Sequence, residues 1–191
     1  MPKSNSNGSI AVKKTKSEND KNDSKSGKNL DDLLQFEINH IFEAERNLSI
    51  FYPELIKLVS DEDLSEQLDN LFHDNKKQIQ RLEKVFNKFG FAKSGNNQCV
   101  FMNAIISEVK QITKDFSEGS ARDAAIIIQL QKIINHKIAS YDGICNLSDI
   151  LRQSRIADIL DRSLAECEND DFRLSKLAEV IHSDAYDELL V

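Results

Sequence analysis

A chain of 191 residues is long enough for one domain with a sizeable core plus a tail. Two Pro, six Gly and no Trp favour long helices over a β-rich fold, and a net charge of −7 gives no general reason to expect nucleic-acid binding. Three cysteines without metal spacing (Cys99, Cys145, Cys167), no signal-peptide pattern and an apolar run, Ala124 to Ile128, far too short for a bilayer point to a reduced, cytoplasmic protein without membrane contact.

Residues 1–28 hold almost nothing apolar and cannot offset the entropy of ordering, so they read as a disordered Lys/Ser/Asn-rich tail. Seven Lys against one Glu and two Asp give the tail a charge of +4, which leaves −11 on residues 29–191, read as the helical domain. A first helix is expected from Asn29 or Asp31, with acidic residues in its first turn. Its seam runs Leu34, Ile38, Ile41, Glu45, Leu48, Tyr52, Leu55 and on to Leu58, so Pro53 is expected to kink it, not stop it. Ser60 is the expected cap of a second helix, with seam Leu64, Leu68, Leu71, Asn75, Gln78, Leu82, Val85, ended at Gly90 by a left-handed turn.

After a polar loop, 90–98, comes a shorter amphipathic piece with Val100, Ala104, Ile105, Val109 and Ile112 on one side. A third long helix covers about 121–151, capped by Ser120 and loosened at Gly143, with Ile127, Leu130, Ile134, Lys137, Tyr141 and Ile144 in line. The fourth opens near Gln153 to Arg155 and carries Leu160, Leu164, Cys167, Asp171, Leu174 and Ala178. Residues at this period turn one stripe of each helix toward its neighbours. Two short connections and one long crossover predict an all-α, ferritin-like antiparallel four-helix bundle with a short extra helix in the crossover.

Each seam carries polar residues at mid-length. Such groups must find a partner or a ligand, because an uncompensated buried charge costs several kcal/mol. The chain resembles the YciE/YciF group of ferritin-like bacterial proteins over about residues 29–179. The resemblance rests on Ala44-Glu45, Leu48 and Pro53; on Gln78 and Arg81-Leu82-Glu83; on Cys99, Met102 and Arg122-Asp123-Ala124-Ala125; on Gln131-Lys132, Ile138-Ala139 and Tyr141; and on Glu166, Asp171, Leu174, Leu177 and Ala178. It implies a dimeric four-helix bundle with an internal carboxylate-and-histidine dinuclear metal site, associated with stress responses.

The pattern departs from that family where metal would bind. Where the resemblance implies Glu-His-x-Glu, this chain has Ile134, Asn135 and Lys137; Cys167 replaces another Glu, and the shorter Asp74 a third. The remaining candidate acids are Glu45, Asp74, Glu166 and Asp171. Lys137 has two readings: an internal counter-ion standing in for lost metal charge, or a surface residue snorkelling outward while Ile138 takes the seam. Glu45, Asp74 and Asp171 with Lys137 sum to −2, enough for one divalent cation at most; an oxygen-only set suits Mg²⁺, Mn²⁺ or Ca²⁺ better than redox iron, Fe²⁺. His40, His73 and His136, each read alone, are packing or surface residues, with His73 beside Asp74 the best placed. Cys167 reads as a small buried hydrophobe and Cys99 as a passive, more exposed thiol.

The sequence therefore leads to a YciE/YciF-type protein whose dinuclear site is largely lost. It is expected to act by assembly or partner binding, as a homodimer without cofactor or catalytic residues, with the 100–116 helix as docking surface. The rival is an active iron or manganese protein, ferroxidase or peroxide-removing, using the four acids. A third possibility, binding of nucleic acid or envelope, rests on the basic tail alone.

Overall fold

The computed structural model describes residues 29–93 and 99–190, without the side chain of Leu189; the tail expected at 1–28 and most of the 90–98 loop lie outside the described residues. Four long helices, α1 (Leu30–Leu55), α2 (Glu62–Phe89), α4 (Ser120–Ile150) and α5 (Ser154–Asp187), form the bundle, and the shorter α3 (Val100–Asp115) lies in the crossover. A single 3₁₀ turn, Glu188–Leu190, follows, and no strand occurs among the described residues.

Hydrogen bonds between helices give the directions. Asp31 meets Gln153 and the Leu58 carbonyl meets Arg122, so α1 and α4 run antiparallel. Gln67 faces Asp170 and Arg81 faces Ser163, so α2 and α5 do too. α3 lies against α1 and α4, with Asn103 bonded to Asn47 and Gln129 to Glu108. The all-α bundle with one extra helix in the crossover matches the expectation from the spacing.

Local chemistry explains most boundaries. Asn29 and Asp32 form a reciprocal capping box on α1. Pro53 has no N–H to offer and its ring crowds the preceding turn; α1 ends two residues later at Leu55, so the expected passage through to Leu58 does not occur. Asp61, not Ser60, caps α2, its carboxylate accepting from the Leu64 N–H at 2.7 Å. Gly90 closes α2 at φ +69°, where a side chain would be strained. Gly119, not Ser120, precedes α4, and α4 runs unbroken through Gly143.

The core is one apolar cluster drawn from all five helices. The expected seams of α1, α2 and α4 are buried along their length, apart from Leu58 beyond the end of α1. α4 is also buried at Ile126 and Ile133, and α3 packs along it as a further neighbour. Met102, Ile105 and Val109 of α3 face inward and Ile112 packs against the core. The apolar side of α3 is therefore already covered and does not form the expected docking surface; Val100 and Phe101, at its N-terminus, stay exposed.

Candidate functional site

The polar level at mid-bundle is built by α1, α2 and α4, whose periods bring Glu45, Asn75, Gln78, Lys137 and Tyr141 inside together. Glu45 is fully buried and both carboxylate oxygens are occupied: Oε1 accepts from the Tyr141 hydroxyl at 2.9 Å, Oε2 from Asn75 Nδ2 at 2.7 Å. The same Asn75 amide donates to the Glu45 carbonyl at 2.9 Å. Lys137, 1% exposed, lies with Nζ 3.2 Å from Glu45 Oε2 and donates to Gln78 Oε1 at 2.7 Å.

The chain of contacts continues outward. Gln78 Nε2 points at Glu166 Oε2 (3.4 Å) and Cys167 Sγ (3.7 Å). Glu166 is held by Arg81 through two bonds of 2.6 Å, and Arg81 also donates to Ser163 Oγ at 3.1 Å. Such a bidentate fork fixes orientation as well as charge.

Electrostatics keep the charges where they are drawn. Burial acts to strip the proton from Lys137, but Glu45, with smaller help from its other neighbours, outweighs it and raises the ammonium's pKa above its ordinary value. Burial pushes the Cys167 thiol up to about 12, against the pull of Lys137, so it is a neutral thiol. Tyr141 and Tyr52 are likewise raised, chiefly by burial, and both stay protonated. The Tyr52 hydroxyl, Asn75 Oδ1 and Asp170 Oδ2 are buried without a hydrogen-bond partner among the described residues.

Two of the four candidate acids lie elsewhere. Asp74 is half-buried at the edge of α2 and pairs with Lys77 at 2.8 Å. Asp171 accepts from Asn135 at 3.1 Å, outside the core. The buried stripe of α5 runs Ile156, Leu160, Ser163, Cys167, Asp170, Leu174, Ala178, Ile181; Asp170 takes the place expected for Asp171, and Ser163 that expected for Leu164. Both spacings fit a 3.6-residue repeat, and the pairing of Asp170 with Gln67 at 3.4 Å accompanies the observed one. Asp170 is 1% exposed, and burial raises its pKa to about 6 against the lowering influence of Lys137. No local sequence signal separated these adjacent acids.

His73 turns outward and bonds the Asp69 carbonyl at 2.9 Å, so it does not join this level. Asp123, absent from the candidate acids, is 1% exposed and accepts backbone N–H groups from Ser60 (2.9 Å) and Asp61 (2.8 Å), tying α4 to the start of α2. A Glu-His-x-Glu dinuclear centre does not fit these side chains. The buried carboxylate that touches the central ammonium, Glu45, has both oxygens occupied, Glu166 is committed to Arg81, and an ammonium opposes a divalent cation at the same level.

A family described as a domain of unknown function, DUF892, matches residues 29–186, most of the chain. The YciF protein of Escherichia coli K12 is 27% identical over 151 residues, covering 79% of this chain and 91% of its own length. The chain belongs to the YciE/YciF family. Two solved structures carry the same fold at high similarity. YcfI of Rhodopseudomonas palustris, described as a candidate structural protein, superposes with a TM-score of 0.75 at 27% identity, over 80% of this chain and 96% of that one. The E. coli stress protein YciF superposes with a TM-score of 0.74 at 25% identity, over 82% and 99%. Among the described residues no helix is long and apolar enough to cross a membrane.

Proposed function

We propose that this chain is a stress-associated protein of YciF type in which an internal ion pair has replaced the dinuclear metal centre, and that it acts through assembly as a homodimer or through a protein partner. What carries the reading is one contact, Lys137 Nζ at 3.2 Å from Glu45 Oε2 with both side chains out of water. A cation covalently attached to the chain supplies the positive charge that a bridged metal pair would otherwise bring to the same carboxylate. It does so permanently, and without redox chemistry. The description of YcfI as a candidate structural protein supports a non-catalytic role, and that of YciF as a stress protein supports the stress association.

The test is Lys137→Glu in the full chain. Without metal, the variant places a second carboxylate beside Glu45 and is expected to lose about 3–5 kcal/mol of unfolding free energy in urea. Mn²⁺ or Fe²⁺ should restore part of that loss, since a ligand that binds only the folded state stabilises it. A variant as stable as its parent, with or without metal, removes the counter-ion role. Metal analysis of parent protein purified without chelator is the second arm. Two irons per chain with a peroxide-dependent optical change overturn the reading, whereas iron and manganese well below one per chain support it.

A further inference from the structure

A second cluster of ligating side chains lies on the neighbouring face of α4, His136 being next in sequence to Lys137. His40 of α1, Cys99 immediately before α3 and His136 of α4 bring one ligand atom each to within 4.8 Å of one another. Cys99 is fully buried, and its Sγ lies 3.8 Å from His136 Nε2. The two imidazoles cross edge to face at 6.0 Å, and each is backed by an aromatic ring: His40 by Phe36 at 5.9 Å and His136 by Phe101 at 4.4 Å. Three separate elements thus converge on one point, with the rings held by stacking.

We propose that His40, Cys99 and His136 bind one divalent cation of zinc type and thereby clamp α3 to α1 and α4. Two imidazole nitrogens and one sulfur form a borderline-soft set, the kind that selects Zn²⁺ over Mg²⁺ or Ca²⁺. Zn–N bonds of about 2.0–2.1 Å and a Zn–S bond of about 2.3 Å put ligand atoms roughly 3.3–3.6 Å apart in a tetrahedron. The Cys99–His136 separation of 3.8 Å is thus already near that value, and the widest, no more than 4.8 Å, closes by about an ångström through side-chain rotation, with the fourth position left for water. Burial, with His40 adding to it, lowers the pKa of His136, so its ring is neutral with a lone pair available. Burial raises that of the Cys99 thiol, while the Met102 and Phe101 amides favour its thiolate and Glu37 adds negative potential that also attracts a cation. Binding breaks the Cys99 S–H bond: thiol plus M²⁺ gives a thiolate–metal bond and one proton released to solvent.

This site is independent of the ion pair, and it is tested with zinc itself. The full chain, stripped with chelator and kept reduced, is titrated with Zn²⁺, with Co²⁺ as the optical probe. One equivalent should bind, with about one proton released near neutral pH. Co²⁺ should give a thiolate-to-metal charge-transfer band, and the thermal midpoint should rise. Cys99→Ser should abolish the band. His136→Gln and His40→Gln should each weaken Zn²⁺ by more than the roughly 10- to 100-fold that loss of a ligand's outer hydrogen-bond partner costs. His73→Gln, on the exposed face of α2, should change nothing. If Cys99→Ser fails to fold, His40→Gln reports the same loss from a part-exposed position. The proposal is overturned by absence of saturation below about 10 μM Zn²⁺, or by binding that Cys99→Ser and His136→Gln leave unaltered.

Discussion

Lys137 and Asp170 show how differently two charges behave at one level of the same core. Lys137 has a carboxylate and an amide oxygen within 3.2 Å, and its charge is favoured. Asp170 has a single weak partner, Gln67 Nε2 at 3.4 Å, and leaves Oδ2 without one. Its folded pKa of about 6 stands above the ordinary 3.8, so the folded state binds the proton more tightly than the unfolded state. The sign follows from linkage: stability associated with this group is fully present below about pH 4 and lost as pH rises toward and through 6. Asp170→Asn removes the charge and should raise unfolding free energy at pH 7–8 by about 1–3 kcal/mol, the order of a two-unit shift at 1.36 kcal/mol each, less the cost of a poorly bonded amide. Near pH 4 the two proteins should be equal. Urea unfolding of parent and variant across pH 4–8 measures this, and the difference cancels the opposite trend from His136, whose pKa is lowered by burial. A variant less stable than its parent at pH 8 would mean that Asp170 gains from being charged.

At the scale of elements, the long helices were legible because their chemistry is local and repeated. Seams of α1, α2 and α4 and the stop at Gly90 are written in the period and in one glycine. What was not legible depends on contacts between elements. Choosing Asp170 over Asp171 needs the position of Gln67, 103 residues away. Choosing Asp61 over Ser60 as the α2 cap needs Asp123, which engages the Ser60 and Asp61 N–H groups across 62 or 63 residues. His40, Cys99 and His136 each look passive alone and become a set only when three elements meet.

The Asp123 contact makes its own prediction about the α1–α2 corner. A buried carboxylate bonded to backbone N–H groups acts as a remote cap on α2, worth about 1.5–3 kcal/mol, since bonds to a charged acceptor are stronger than neutral ones. Burial raises the pKa of Asp123 and the bonded amides pull it down, with burial the larger effect. Asp123→Ala should therefore destabilise by about 1.5–3 kcal/mol and selectively speed amide exchange at residues 58–64, while Asp123→Asn, which keeps an acceptor oxygen, should recover part of it. Uniform loss of protection along α4 instead would assign Asp123 to the stability of its own helix.

For the whole molecule, the question is where a second copy could sit, because an assembly role needs a face the bundle leaves open. α3 does not offer its apolar stripe, which is spent on α1 and α4. Exposed apolar side chains gather instead along the first turns of α1 and the end of α4: Leu30, Leu33 and Phe36, with Ile150 70% exposed. Between them runs a groove of about 480 Å³ lined by Leu33, Ala139, Gly143, Leu147 and Ile150, where the small residues let another helix approach closely. Exposed apolar side chains gathered in this way, alongside a groove, mark an interaction surface more often than isolated ones do. A two-fold partner would place the same patch against itself. Leu33→Asp and Ile150→Asp each set charge into that contact without touching the core. In sedimentation at tens of micromolar the parent should run as a dimer and both variants as monomers, with unchanged helical circular dichroism. A parent that is monomeric under those conditions leaves the assembly role to a different protein. A dimer that survives both substitutions moves the interface to α5, where Phe172 and Val180 are exposed.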